Sequence, residues 1–307
     1  MEIITGCFLR VAALGAWPKL EISEAEFSSI VKSRQILTAA LSVEEKYDLV
    51  LGNFLDLEKE LLMLTAEKII DNRFDYARAY SLIASLNRRF VNFVLSGKSY
   101  TELIASKASK CVPGDSEVET KIQALTSKHY DESLDYRLME ALRNHVSHSG
   151  LAVHHVDNPD KWIFDENNRA ETLVFNTDIY AIKDRLAENT GFKKSVLIEL
   201  PEKIDLKKAA RSYVGAISDI QDAVRNAINK SVDDARSIIE SYIERYEDIN
   251  GGKTFSIGAY SADAQAEGKG PVILFLNWDD VRVGLLEKNQ SISNMDKRHV
   301  SSALSKG

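Results

Sequence analysis

Apolar residues recur at helical spacing over most of the chain. Tyr47, Val50, Phe54, Leu57, Leu61, Leu64 and Ile69 lay one stripe along a long amphipathic helix that runs to about Asp71. Upstream, Ser23 followed by Glu24 and Glu26 reads as an N-cap with negative charge in the first turn. Ser42 with Glu45 three residues on repeats the signal as a capping box. Tyr76, Tyr80, Ile83, Leu86, Phe90, Val91 and Val94 make a second stripe, which Gly97 is placed to stop or bend. The polar link Asn72-Arg73-Phe74-Asp75 is short, so the two helices are expected to pack antiparallel. After a loop at 111–115, a short helix is predicted over 116–127. Another begins near Ser133, with Leu134, Leu138, Leu142 and Val146 as its stripe and Gly150 as its stop. The longest pattern runs from Tyr213 through Val224, Val232 and Ile239 to Ile249, and predicts a helix over 207–249 that needs a partner along its whole length.

The period changes in between. Trp162-Ile163-Phe164 and Thr172-Leu173-Val174-Phe175 flank a polar turn and read as a β-hairpin, followed by a helix near 178–188. Beyond Gly251-Gly252, strands are predicted at 255–257, at 272–276 and, more weakly, at 281–283; residues 1–20 read equally as a strand or a short helix. The expected fold is therefore mainly α. It comprises a helical bundle over 22–150 that the 207–249 helix is available to complete, a β-hairpin and short helix over 151–200, and a small α/β region over 251–307.

Composition narrows the function classes. A chain of 307 residues that is 44% hydrophobic and 28% charged has enough apolar residues for a real core. A net charge of −7 argues against a sequence-blind nucleic-acid coat protein, though not against an enzyme that meets RNA through a local basic patch. Cys7 and Cys111 are isolated and suggest a reducing compartment. Met1-Glu2-Ile3-Ile4 lacks the basic start of a signal peptide, and no run approaches the length needed to span a bilayer. The expectation is a cytoplasmic protein with no membrane partner.

Candidate chemistry concentrates in one place. His145, His148, His154 and His155 are four of the six histidines, and Arg143 lies just upstream. An imidazole, with its ordinary pKa of about 6.5, moves protons near neutral pH. A guanidinium matches phosphate oxygens with a planar fork. Together they suit phosphodiester cleavage, in which RNA supplies its own 2′-OH as nucleophile. The segment Arg143-Asn144-His145-Val146-Ser147-His148, preceded by the amphipathic Leu138-Met139-Glu140-Ala141-Leu142, resembles the Arg-x4-6-His motif of HEPN ribonucleases. That resemblance implies a helical bundle acting as a metal-independent endoribonuclease, a homodimer with a composite cleft, no cofactor, and a toxin, abortive-infection or antiviral role, with an antitoxin or defence-system partner to restrain it. It implies His148 as general acid or base, Arg143 as stabiliser of the transition state, and Asn144 as the residue that orients the phosphate or His148. His145, Arg88 and Arg89 are the candidate substrate contacts.

On a straight helix Arg143 and His148 lie roughly 140° apart, so convergence asks for a bend before Gly150 or for a second subunit. Two other readings stay open. His145 and His148, with His154 or His155 and the carboxylate of Glu140 or Asp157, are a candidate metal cluster, although no zinc motif of known type is present and no metal is expected. The chain is alternatively a non-catalytic helical interaction protein that dimerises through its long helices. Lys193-Lys194 and the Lys203–Arg211 stretch read as solvated surface. Gly251-Gly252-Lys253-Thr254 lacks the spacing and preceding strand of a phosphate loop.

Overall fold

The computed structural model describes residues 6–71, 73, 75–148, 150–298 and 300. Asn72 and Phe74 of the predicted link, the first five residues and the end of the 251–307 region at 301–307 lie outside them. The chain is mainly helical, with small antiparallel sheets. Its elements are β1 (Cys7–Val11), β2 (Leu20–Ile22), α1 (Glu24–Ile70), α2 (Tyr76–Cys111), α3 (Glu117–Glu132), α4 (Leu134–His148), β3 (His155–Asp157), β4 (Asp160–Phe164), β5 (Ala170–Phe175) and β6 (Asp178–Ile182). There follow α5 (Lys183–Ala187), α6 (Lys194–Glu199), β7 (Lys203–Asp205), α7 (Leu206–Ile249), β8 (Ile257–Ser261), α8 (Ala262–Ala266), β9 (Val272–Ile273) and α9 (Asn277–Lys288).

The elements gather into two compact units that cut across chain order. One combines Met1–Glu45, Ile104–Lys121 and Ala223–Gln290, and the other Lys46–Leu103, Ile122–Asp222 and Ser291–Gly307. Helices α1, α2, α3 and α7 thus give one segment to each.

In the first unit the sheet order is β2-β1-β8-β9, with β1 and β8 in register from Cys7↔Ser261 to Val11↔Ile257. Leu9, Val11, Ile257 and Ala259 are buried with Ile30 and Leu37 of α1. The Tyr246 hydroxyl of α7 accepts from Val11 N at 3.2 Å and donates to Pro18 O at 2.8 Å, tying the strand and the loop after it to the helix. Ser23 caps α1, and the box is reciprocal: Glu26 N donates to Ser23 Oγ, and Ser23 N donates to the Glu26 carboxylate. Ser42 does not start a second helix. With Ile36, Leu37, Ala40 and Val43 keeping the stripe buried, α1 continues unbroken and Ser42 Oγ accepts from Lys107 Nζ instead. The 281–283 strand is also corrected, because Val281-Arg282-Val283 sits inside α9. There Asp279, fully buried in the first turn, holds the Arg282 guanidinium at 2.7 Å, three residues along the same helix.

In the second unit α2 runs on through Gly97. The glycine is a packing requirement: a Cβ there would come within 2.4 Å of the Tyr213 ring. Tyr47 and Tyr100 direct their hydroxyls to Ser218 and Gln221 of α7. The hairpin predicted around 162–175 is β4–β5, paired from Asp160↔Phe175 to Phe164↔Ala170. It continues a β3–β6 ladder, and Asn176 N donates to Pro159 O between the two pairings. The first half of the predicted 178–188 helix is therefore strand β6. Ile179 and Ala181 alternate into the core while the backbone pairs with β3 on one side and β7 on the other.

Candidate functional site

Helix α4 carries the motif. Ser133 Oγ caps it by accepting from Tyr136 N, and the helix buries Tyr136, Leu138, Met139, Ala141, Leu142 and His145. Glu140 fixes it to its neighbours. Its carboxylate receives Lys98 Nζ at 2.6 Å and Thr101 Oγ1 at 3.2 Å from α2, and the Tyr213 hydroxyl at 2.7 Å from α7. At the other end Gly150 N donates to His145 O, closing the last turn.

Arg143 and His148 both reach solvent from this helix. Arg143 Nη1 donates to Asn144 Oδ1 at 2.8 Å, and Nη2 stands 3.7 Å from Glu102 Oε1. His148 is exposed and has no hydrogen-bond or ion-pair partner among the described residues. The helix is regular through His148, so no bend before that residue brings the pair together. Roughly 140° of helical wheel separates them.

His145 is not a surface contact for substrate, and the expectation is corrected on two grounds. It is 4% exposed, and both ring nitrogens are occupied. Nε2 donates to Leu151 O at 3.2 Å, and Nδ1 accepts from Asn189 Nδ2 at 3.2 Å. His154 repeats the pattern. Its Nδ1 accepts from Ile182 N at 3.0 Å, which leaves Nε2 as the donor to the same Leu151 carbonyl at 2.7 Å. The two rings meet edge to face with centroids 6.3 Å apart. Burial pushes both imidazoles below the ordinary histidine pKa, because no room is left to solvate the added proton.

The turn they hold is clamped from α2 by Asn87. Its Oδ1 accepts from Ala152 N and Val153 N at 3.1 and 2.9 Å, and its Nδ2 donates to Val153 O and Ile83 O. Asn87, which precedes the candidate Arg88-Arg89 pair, is only 2% exposed and turned inward. A signal was present: Ile83, Asn87, Phe90 and Val94 fall on one helical face, and a lone amide in an apolar stripe demands partners.

The remaining candidates are dispersed. Arg89 joins α2 to α1, with Nε 3.5 Å from Glu60 and Nη1 3.8 Å from Asp56. Arg88 lines a cavity of about 570 Å³ together with His154 and His155. His155 Nε2 lies 2.6 Å from Asp157, which also holds Lys203, and Lys203 sits over the Tyr180 ring. The histidine cluster does not close on an ion: no group of three or more metal-ligating side chains is positioned to hold one among the described residues. No helix is long and apolar enough to cross a membrane among the described residues. The chain matches no protein-family model, no curated protein and no solved structure.

Proposed function

We propose that this chain is a metal-independent endoribonuclease of HEPN type that acts as a homodimer in the cytoplasm, in a toxin, abortive-infection or antiviral role. One observation supports this best. A helix locked in place by Glu140 and by the Asn87-clamped turn presents Arg143 and His148 to solvent, and withdraws the other histidine of the motif. Nothing in the packing of α4 requires an unpartnered imidazole at its exposed end.

The chemistry follows from the placement. The ribose 2′-oxygen attacks the adjacent phosphorus, the P–O5′ bond breaks, and a 2′,3′-cyclic phosphate forms. One His148 takes the 2′-OH proton, and the protonated His148 of a second copy gives a proton to the departing 5′-oxygen. Arg143 neutralises charge on the non-bridging oxygens, and Asn144 steadies the guanidinium through the 2.8 Å hydrogen bond. Two copies are required because one straight helix directs Arg143 and His148 to different sides.

The test is incubation of purified protein with total RNA in excess EDTA. Cleavage that leaves 2′,3′-cyclic ends, and that disappears when the ribose at the scissile position is 2′-deoxy, supports the reading. Cleavage lost on chelation and restored by zinc or manganese overturns it.

A second reading, a non-catalytic interaction protein, draws on the ends of α1 and α2. Ile70, Tyr76 and Tyr80 are 88%, 80% and 70% exposed there, more apolar surface than a helix end needs. Complete absence of cleavage by a dimeric wild-type protein, over a range of RNAs, favours that reading.

A further inference from the structure

A second feature lies in the first unit, away from the motif helix in the chain. Segments of α1 and α2 there enclose an open cavity of about 630 Å³ lined by Arg34, Lys107 and Lys110 with Gln35, Thr38 and Ser42. No carboxylate lines it among the described residues. The chain carries a net charge of −7, and three other cavities are lined by Asp and Glu as well as by bases.

Arg34 is the informative residue. Its Nη1 donates to the main-chain carbonyls of Ile273 and Phe275 at 3.0 and 3.3 Å, and the guanidinium lies 4.3 Å from the centre of the Trp278 ring. These contacts hold the fork in one orientation without neutralising it. Nε and Nη2 have no partner among the described residues. Burial pushes its pKa down, and no neighbouring acid offsets that cost. A preorganised, half-buried cation with no counter-charge suits an anionic partner.

The basic surface continues. An adjoining cavity of about 420 Å³ shares Pro113 and adds Lys32 and Lys230, against a single carboxylate, Asp234. Lys32, Lys110 and Lys230 have no partner among the described residues. Along α1, Arg34, Thr38 and Ser42 follow one face at four-residue steps and span about 12 Å of helix axis.

We propose that this groove binds the phosphodiester backbone of single-stranded RNA, which rests on the reading of the chain as an RNA-cleaving protein. Arg34, Lys110, Lys32 and Lys230 meet phosphates, and the Gln35 amide meets phosphate or ribose oxygens, while Thr38 and Ser42 are already bonded to Arg34 O and Lys107 Nζ. No aromatic side chain lines the groove, so recognition is of backbone and tolerates sequence.

The experiment is fluorescence anisotropy on the full chain with a labelled 2′-O-methyl RNA 12-mer, which lacks the attacking hydroxyl and stays intact. Wild type is expected to bind with an affinity that falls steeply with salt. The Lys32→Glu/Lys110→Glu/Lys230→Glu variant is expected to lose at least tenfold in affinity. Its log–log salt slope should fall by about 2, near 0.7 for each phosphate contact removed. The corresponding Lys→Gln variant, with circular dichroism as a fold check, should lose less in the same direction. Unchanged affinity and slope in both variants overturns the proposal. So does a wild type that fails to bind the 12-mer, or one that binds anionic phospholipid vesicles in its place. Inorganic phosphate at millimolar concentration should not displace the strand; full displacement would reduce the groove to a site for the free ion and also overturn the proposal. Binding that survives His148→Ala while RNA cleavage is absent in every form leaves the groove standing and removes the nuclease reading.

Discussion

His145 and His154 share one turn, one tautomer and one acceptor, the carbonyl of Leu151. His148 and His155, from the same short stretch of chain, stand at the surface. His148 has no partner among the described residues, and His155 is held against Asp157. The difference is one of direction along the elements. His145 falls on the buried face of α4, three residues after Leu142, and His148 falls one turn later where that face runs out. Four histidines close in sequence therefore divide into a pair that builds structure, one tied to a neighbouring carboxylate, and one, His148, without a partner among the described residues. Their clustering is not by itself a site.

The largest effect should fall on activity. His148→Ala and Arg143→Ala are each expected to lower RNA cleavage by about 10²–10³-fold, as for loss of one donor to a developing oxyanion or its proton-transfer partner. Thermal midpoints should move little, because neither side chain is buried. A large loss of stability in His148→Ala, seen by thermal melting, would break the contrast between the pairs. Arg143→Lys should lose most activity as well, since lysine keeps the charge but not the fork.

Next comes Asn87→Ala, expected to cost about 2–4 kcal/mol in urea unfolding. It orphans the buried amides of Ala152 and Val153 together with the Val153 carbonyl. His145→Ala should cost less, about 1–3 kcal/mol, through lost packing and the unpaired Asn189 amide. Its effect on cleavage should track the loss of folded protein.

The smallest effect is a pH dependence. The folded-state pKa of His145 and of His154 lies below the unfolded value near 6.5, so each contributes stability that is present above the unfolded pKa. That contribution is lost as pH falls through 6.5 and on through the depressed folded value. A proton added at His154 Nδ1 would face the Ile182 amide proton, and one added at His145 Nδ1 would face the Asn189 side-chain amide. Stability measured at intervals from pH 7.5 down to 5 should decline, and less so in His154→Gln. An equal decline in that variant would assign the effect to other groups.

Much of this was legible in the sequence, because the signals were local. The stripes of α1, α2 and α7 gave their helices, Ser23 gave a cap, and the Trp162–Phe175 pattern gave a hairpin. What was not legible depended on distant partners. Gly97 reads as a helix breaker until Tyr213 is placed over it, and Ser42 reads as a cap until Lys107 arrives beside it. Strand β6 exists because β3 and β7 flank it, and β7 is too short to announce itself. The motif on α4 could be picked out from residue types, and the Leu138–Leu142 stripe already put His145 near the buried face, but the partners of its ring could not be read. Asn189 and Leu151 have no sequence pattern that points back to it. The groove around Arg34 was missed for the same reason: its bases come from two helices and are separated by most of α2.

The β3–β4–β5–β6 ribbon has a practical consequence. Its base is held by the β3–β6 pairing, and its tip is the exposed turn at Asp165–Asn168, where Asn168 adopts a φ of 58° and Asp165 accepts from Asn167 N and Arg169 N. Chain ends opened at that tip would remain registered by the ladder beneath them. The turn is thus a natural place for a reporter insertion or a circularly permuted terminus. A fluorescent domain spliced there would test by energy transfer whether two copies associate, with Arg143, His148 and the lysines of the groove left as they are.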